Sequence, residues 1–225
     1  MKFVGLQKTS LADFPNRVAS VLFTPGCNLR CPFCHNWRIV VDPRPPFLTE
    51  ETTFKILENR KKYVDAVVIT GGEPTIHKDM PKFLKKLQEK GFTVKLDTNG
   101  LNSKTLMECL PHLSYVALDV KTSPEKYGNL GAENADELLQ TIDLLKTEKV
   151  DYEFRTTIVP GLVQTADMHR ICEIAKGVKN FALQQFVPGD TLDESLKLLK
   201  PYSREIIIDY AKMMQTCVEN VILRI

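Results

Sequence analysis

Three cysteines, Cys27, Cys31 and Cys34, fall within eight residues of this 225-residue chain. Thiolates crowded into a loop are soft ligands, and they select zinc or iron–sulfur. A structural zinc site of the Cys3His type would recruit His35 as its fourth ligand. That arrangement is awkward, because His35 is the neighbour of Cys34 and structural zinc usually takes spaced ligand pairs. An iron–sulfur cube normally takes four thiolates. With three local cysteines one iron lacks a protein ligand, an open position that a small molecule can chelate, as at a catalytic zinc. Both readings stand on the cysteines alone.

The elements that must position these residues alternate regularly. Val18–Thr24 reads as a buried strand, and the cysteine loop follows it at once. Thr49 N-caps a helix running to about Tyr63, with Glu50 and Glu51 in its first turn. Ala66–Thr70 is a strand and Asp79–Lys90 a helix ended by Gly91. Phe92–Asp97 is a strand, and Ser103–Leu110 a helix stopped before Pro111. Tyr115–Val120, Tyr152–Val159 and Phe181–Val187 are strands; Ala135–Lys149, Ala166–Lys176 and Arg204–Cys217 are helices. The tail Asn220–Ile225 is expected as a last edge strand.

The six core strands so predicted, joined by helical crossovers, must run parallel and wind right-handed. The fold class is α/β, either an open sheet or a TIM-like barrel left incomplete. Polar and glycine-rich residues gather just after the strand ends: Gly71-Gly72-Glu73-Pro74, then Asp97-Thr98-Asn99-Gly100, then Asp119 and Lys121. Arg155 lies on the fifth strand and Gln184-Gln185 on the sixth. In a parallel barrel those ends meet at one face, where chemistry sits. This favours the partial (β/α)6 barrel.

The bulk properties bound the rest. Length and composition, 43% hydrophobic and 26% charged, suit one globular enzyme domain. It is expected to span 1–225, with a core of 18–187, an N-terminal extension of 1–17 and a C-terminal helix and tail of 201–225. A net charge of +2 and the lack of a basic run argue against nucleic acid. No apolar stretch reaches the ~18–20 residues of a membrane span, and the start lacks a signal-peptide pattern. A cytoplasmic location follows as the expectation. Cys109, Cys172 and Cys217 are scattered, all within predicted helices, and read as small buried hydrophobes.

C-x3-C-x2-C after a first strand, with Gly-Gly-Glu-Pro after the second, resembles the radical S-adenosylmethionine (SAM) superfamily. The resemblance covers residues 18 to about 187 and implies the partial barrel fold. It implies Cys27, Cys31 and Cys34 as ligands of one 4Fe–4S cluster whose open iron SAM chelates. It implies Gly71, Gly72, Glu73 and Pro74 at the methionyl end of SAM. Finer matches are similar to glycyl-radical-enzyme activases: Cys34-His35-Asn36, Asp97-Thr98-Asn99-Gly100, and Asp119-Val120-Lys121. They imply Phe33 near the adenine, and His35, Asn36, Asp97, Thr98, Asn99, Asp119, Lys121 and Arg155 around SAM, with a monovalent cation near Asp97 and Asp119. No catalytic residue is implied beyond the cluster and SAM.

Two segments depart from the group. Asp13-Phe14-Pro15-Asn16-Arg17 resembles a D-G-P-G-x-R segment that contacts the substrate protein, but both glycines are missing. Asp13 and Arg17 are the expected contacts there, against a plain surface turn fixed by Pro15. Where pyruvate formate-lyase activases have a histidine near the adenine, this chain has Gln185, whose amide both donates and accepts. The nearest branch by these features is the anaerobic ribonucleoside-triphosphate reductase activating proteins. The implied partners are a glycyl radical enzyme, first an anaerobic ribonucleotide reductase and second a pyruvate formate-lyase, and an electron donor of flavodoxin or ferredoxin type. The alternatives are a radical SAM enzyme on a small molecule, such as a deazaguanine synthase, and a zinc-binding interaction module.

Overall fold

The computed structural model describes all 225 residues and divides into two compact units. The first holds Met1–Cys27, Arg38–Thr98 and Lys104–Val116; the second holds Asn28–Trp37, Asn99–Ser103 and Ala117–Ile225.

In the first unit, strands β1 (Lys2–Phe3), β2 (Gly5–Phe14) and β3 (Arg17–Thr24) precede helix α1 (Trp37–Val41). Then come β4 (Leu48–Thr49), α2 (Glu50–Arg60), β5 (Ala66–Gly71), α3 (Met80–Glu89), β6 (Thr93–Thr98) and α4 (Ser103–Cys109). The strand order is β2-β3-β5-β6, with β3, β5 and β6 parallel and β2 antiparallel to β3. The parallel neighbours are joined by helical crossovers, because a tight turn can join only antiparallel ones. Helix α2 starts as its sequence dictates: the Thr49 hydroxyl accepts from the Thr52 N–H at 3.2 Å, over two first-turn acids. Helix α3 buries Met80, Phe83, Leu84 and Leu87, and the Phe83 ring meets Phe3 and Phe54 at 5.0 and 5.2 Å. Phe14, Ala19, Val21, Ala66 and Val68 form a second buried cluster on the sheet.

The extension 1–17 is mostly strand. Gly5–Phe14 is polar and exposed along most of its length, with only Ser10 and Phe14 buried, as suits a strand at the edge of the sheet. The turn is Pro15-Asn16, with Asn16 at φ 59°. Proline presets the first turn position and asparagine tolerates the left-handed second one.

In the second unit, β7 (Tyr115–Asp119, entering from the first unit), α5 (Asp136–Thr147), β8 (Asp151–Ile158), α6 (Thr165–Ile174), β9 (Asn180–Gln185), α7 (Arg204–Met214) and β10 (Asn220–Arg224) follow in turn. The order is β7-β8-β9-β10, with β8, β9 and β10 parallel. All six expected core strands are present as β3, β5, β6, β7, β8 and β9, and the tail pairs as a strand with β9. No helix is long and apolar enough to cross a membrane.

The scattered cysteines divide differently from expectation. Cys109 is fully buried, and burial pushes its thiol up to about 12. Cys172 and Cys217 are instead joined by a disulfide. Helix α7 stops at Met214, so Cys217 lies in the turn beyond it, where its carbonyl accepts from the Gly177 N–H at 2.9 Å. That turn brings the two Cα atoms to 5.7 Å, inside the bridging range. The sequence reading extended the helix three residues too far and so missed the pair.

Candidate functional site

The first unit carries Cys27, the Gly71–Pro74 turn, Asp97 and Thr98. Cys27, outside any disulfide, ends the segment leaving β3. The turn after β5 is bonded directly to that segment: Gly72 N–H donates to Thr24 O at 2.8 Å, and Glu73 N–H donates to Gly26 O at 2.9 Å. A Cβ on Gly72 would stand 1.8 Å from Gly26 O, and one on Gly71, at φ 105°, 2.7 Å from Thr24 N. The glycines thus have a reason in the protein itself: they let the second strand end lie against the chain that launches Cys27.

Glu73 is 2% exposed. Its Oε1 accepts from Thr75 N–H at 3.0 Å, from Thr75 Oγ1 at 2.6 Å and from Thr98 Oγ1 at 2.8 Å. The carboxylate therefore ties the Pro74–Ile76 turn to the end of β6, and its buried charge is met by three donors. Asp97, one residue earlier on β6, accepts from Lys95 Nζ. Sequence reasoning missed Lys95. Its signal was alternation: a lysine two residues before Asp97 in a buried strand must share the face of that carboxylate.

Asp13 and Arg17 sit at the hairpin turn that begins β3, so the eight residues of that strand, ~25 Å of chain, separate them from the end that leads to Cys27. Asp13 accepts from Ser10 Oγ, and the Arg17 guanidinium lies 6.0 Å from the Phe14 ring.

The second unit carries Cys31, Phe33, Cys34, His35, Asn36, Asn99, Asp119, Lys121, Arg155 and Gln185. Cys31 and Cys34, neither in a disulfide, share one turn, closed by Cys34 N–H donating to Cys31 O at 3.1 Å. Burial pushes the Cys34 thiol up, while a backbone donor at Asn36 and the charges of Lys121 and Arg30 pull it down. Phe33 is buried, and His35 and Asn36 are exposed. Asn99 Nδ2 donates to Asn28 Oδ1 at 2.8 Å, which fastens the loop after β6 to the cysteine loop.

Asp119 lies between two cations. Arg155 Nε donates to its Oδ1 at 2.8 Å and Lys121 Nζ to its Oδ2 at 2.9 Å. Burial pushes the Asp119 carboxyl up, but the Arg155 and Lys121 charges outweigh it and hold it well below the usual carboxylate range. Burial pushes Lys121 down, and Asp119 and Cys31 outweigh that and raise it to about 12. The buried Tyr127 hydroxyl accepts from Lys121 N–H at 3.0 Å, a support that no motif announced.

Strand pairing separates the two glutamines. Thr157, on the same face of β8 as Arg155, pairs with Gln184. Gln185 points to the other face and donates to Tyr202 O at 3.0 Å.

Cys31 and Cys34, two thiols of one turn facing positive charge, fit thiolate ligation of an iron–sulfur cluster. No three or more His, Cys, Asp or Glu side chains converge on a single metal-ion position. A four-iron cube asks for one thiolate on each ligated iron and needs no such convergence.

The family model described as the radical SAM superfamily matches residues 21–176. A protein of Methanocaldococcus jannaschii, provisionally named a glycyl-radical enzyme activating enzyme, is 34% identical over 98% of this chain and 94% of its own length. A pyruvate formate-lyase-activating enzyme of Clostridium pasteurianum is 28% identical over 84% of this chain and 82% of its own. Among solved structures, TYW1 with a lysine-pyruvate adduct superposes with a TM-score of 0.63 at 19% identity, covering 88% of this chain and 73% of that one. QueE from Escherichia coli gives 0.58 at 16% identity, covering 96% and 92%. These likenesses bear out the fold class, an α/β partial barrel with a mostly parallel sheet.

Proposed function

From the premise that this chain belongs to the radical SAM superfamily, in its glycyl-radical-enzyme activase group, we propose that it activates an anaerobic ribonucleotide reductase in the cytoplasm. The observation that carries the site is the bonding of the Gly71–Glu73 turn to the segment that launches Cys27. The family implies one 4Fe–4S cluster and SAM. Bound together and reduced, they would supply the radical chemistry that takes a hydrogen atom from a glycine Cα of the partner.

The residues of this chain bind and orient. Cys27, Cys31 and Cys34 would hold the cluster. Lys121 and Arg155, fixed by Asp119, offer positive charge to the SAM carboxylate. The backbone of Gly71 and Gly72, with Glu73 and Pro74, would frame the methionyl end. Phe33, His35, Asn36, Thr98 and Asn99 would line the cofactor. An electron donor of flavodoxin or ferredoxin type would reduce the cluster.

The test is direct. Anaerobically reconstituted protein, reductant and SAM are mixed with the reductase, and a glycyl-radical doublet in paramagnetic resonance is expected. A doublet with pyruvate formate-lyase alone would move the partner to the second reading, which the Clostridium relative supports. No doublet with either would sink the activase assignment.

A further inference from the structure

Resting on the reading of Asp97 and Asp119 as carboxylates of the SAM site, we infer that this chain replaces a free monovalent cation at Asp97 with its own Lys95 ammonium. The resemblance implies such an ion near both carboxylates, but the side chains do not fit one. Lys95 is 1% exposed, and its Nζ donates to Asp97 Oδ1. Both oxygens of Asp119 are already met, one by Arg155 and one by Lys121. At Asp97 the Lys95 ammonium already brings the single positive charge that a monovalent cation would supply.

The placement of Lys95 is costly without a partner. A lysine is almost never fully buried unless paired. Its strand-register partner is Val68, a member of the apolar cluster with Ala19, Val21 and Ala66. The four-carbon stem lies in apolar surroundings while the ammonium reaches toward the end of β6, where Asp97 sits. A tethered ammonium has the charge of an alkali ion and three donors in place of a coordination shell. It needs no ion from solution and loses no translational freedom when the site forms. Lys95 is therefore a positioning residue: it acts on the cofactor through Asp97.

The experiment reads cation binding first, on the full chain without iron. Sodium-23 line broadening is titrated with wild type, Lys95→Arg, Lys95→Met and the double variant Lys95→Met/Asp97→Asn. Wild type and Lys95→Arg should give no saturable broadening. Lys95→Met should gain it, and the double variant should lose it again. A second reading uses reconstituted protein and compares SAM cleavage in potassium and in tetramethylammonium salts. Wild type should be indifferent, while Lys95→Met should be rescued by potassium about tenfold, the worth of one charge-assisted bond.

Saturable sodium binding by the wild type that Asp97→Asn abolishes would overturn the inference. So would a Lys95→Met protein with a native circular dichroism spectrum and no sodium signal. Should Lys95→Met fail to fold, the wild-type and Lys95→Arg measurements still decide. Failure of the activase reading shows elsewhere, as an absent glycyl-radical doublet with the cation results intact.

Discussion

Replacing Gly72 by alanine tests the reason given for the glycine pair. The added Cβ would lie 1.8 Å from Gly26 O, where ordinary contact begins at 3.4 Å, so about 1.6 Å must be opened between two backbones. Neither side is a flexible side chain that can swing away. Opening the gap breaks the Gly72–Thr24 and Glu73–Gly26 hydrogen bonds, each worth about 1 kcal/mol. Overpacking adds about 1–3 kcal/mol. A total of about 3–5 kcal/mol should lower the melting temperature by about 6–20 °C in a chain of this length. The same displacement moves the segment that carries Cys27. Iron bound after anaerobic reconstitution should therefore fall by at least half, with no SAM present. The assay is scanning calorimetry of the iron-free protein followed by iron and sulfide analysis. If Gly72 serves only to clear space for SAM, Gly72→Ala would melt as wild type and load iron fully, yet fail to bind SAM. That result would refute the reasoning.

Three further outcomes follow from the geometry. Cys172→Ser opens a loop whose ends are 45 residues apart; it should cost about 4 kcal/mol in the chain-entropy account, read as a lower melting temperature that reductant reproduces in wild type only. Asp119→Asn strips Lys121 and Arg155 of their shared partner and should cost about 2–4 kcal/mol at neutral pH, measured by urea unfolding. Because Asp119 is held below its unfolded value, its contribution is present above pH ~4 and is lost as acid protonates the folded carboxyl. Lys121 is raised to about 12, so its contribution is full below pH ~10.4 and fades as pH rises through the folded value. The variant should flatten both limbs; an unchanged acid limb would count against the network. Gln184→Ala should weaken SAM binding, since Gln184 pairs with Thr157 on the Arg155 face, whereas Gln185→Ala should change stability with little effect on SAM affinity. The reverse pattern in calorimetric titration would reject the face assignment.

The elements were legible where the local signal was strong. The apolar run Ala66–Ile69 is wholly buried, and Thr49 caps its helix through its own hydroxyl. The cysteine spacing and the Gly-Gly-Glu turn were legible because their chemistry is local in sequence. What stayed hidden depends on distant pairing. The strand Gly5–Phe14 has too few apolar residues to declare itself and exists by its antiparallel register with β3. The Cys172–Cys217 bridge depended on where α7 ends, and helix ends are the weakest part of a periodicity argument. The sequence reading chose Gln185, whereas the register sets Gln184 on the face of Arg155; adjacent residues on a strand face opposite ways and only the register names the side. Lys95 was passed over because a lysine in a strand is ordinarily wet, and the alternation that puts it on the face of Asp97 was not followed through.

The cysteine loop is held by protein bonds before any metal arrives. In the first unit its start is fixed by Gly72 N–H to Thr24 O, Glu73 N–H to Gly26 O, and Gly26 N–H to Ile39 O at 2.8 Å. In the second unit Arg30 N–H donates to Leu130 O at 2.7 Å, Asp193 N–H to Pro32 O at 2.9 Å, and Asn99 to Asn28. A zinc knuckle has no such frame, and its metal is its folding energy. Here the backbone meets the cost of ordering the loop, so the free energy of ligation goes into holding the metal. Cluster loss should then leave a folded chain that reloads, and the iron-free protein should unfold in one cooperative transition with its β-sheet spectrum intact beforehand. A chain that loses its circular dichroism when iron is chelated would show that the metal, and not these bonds, organises the loop.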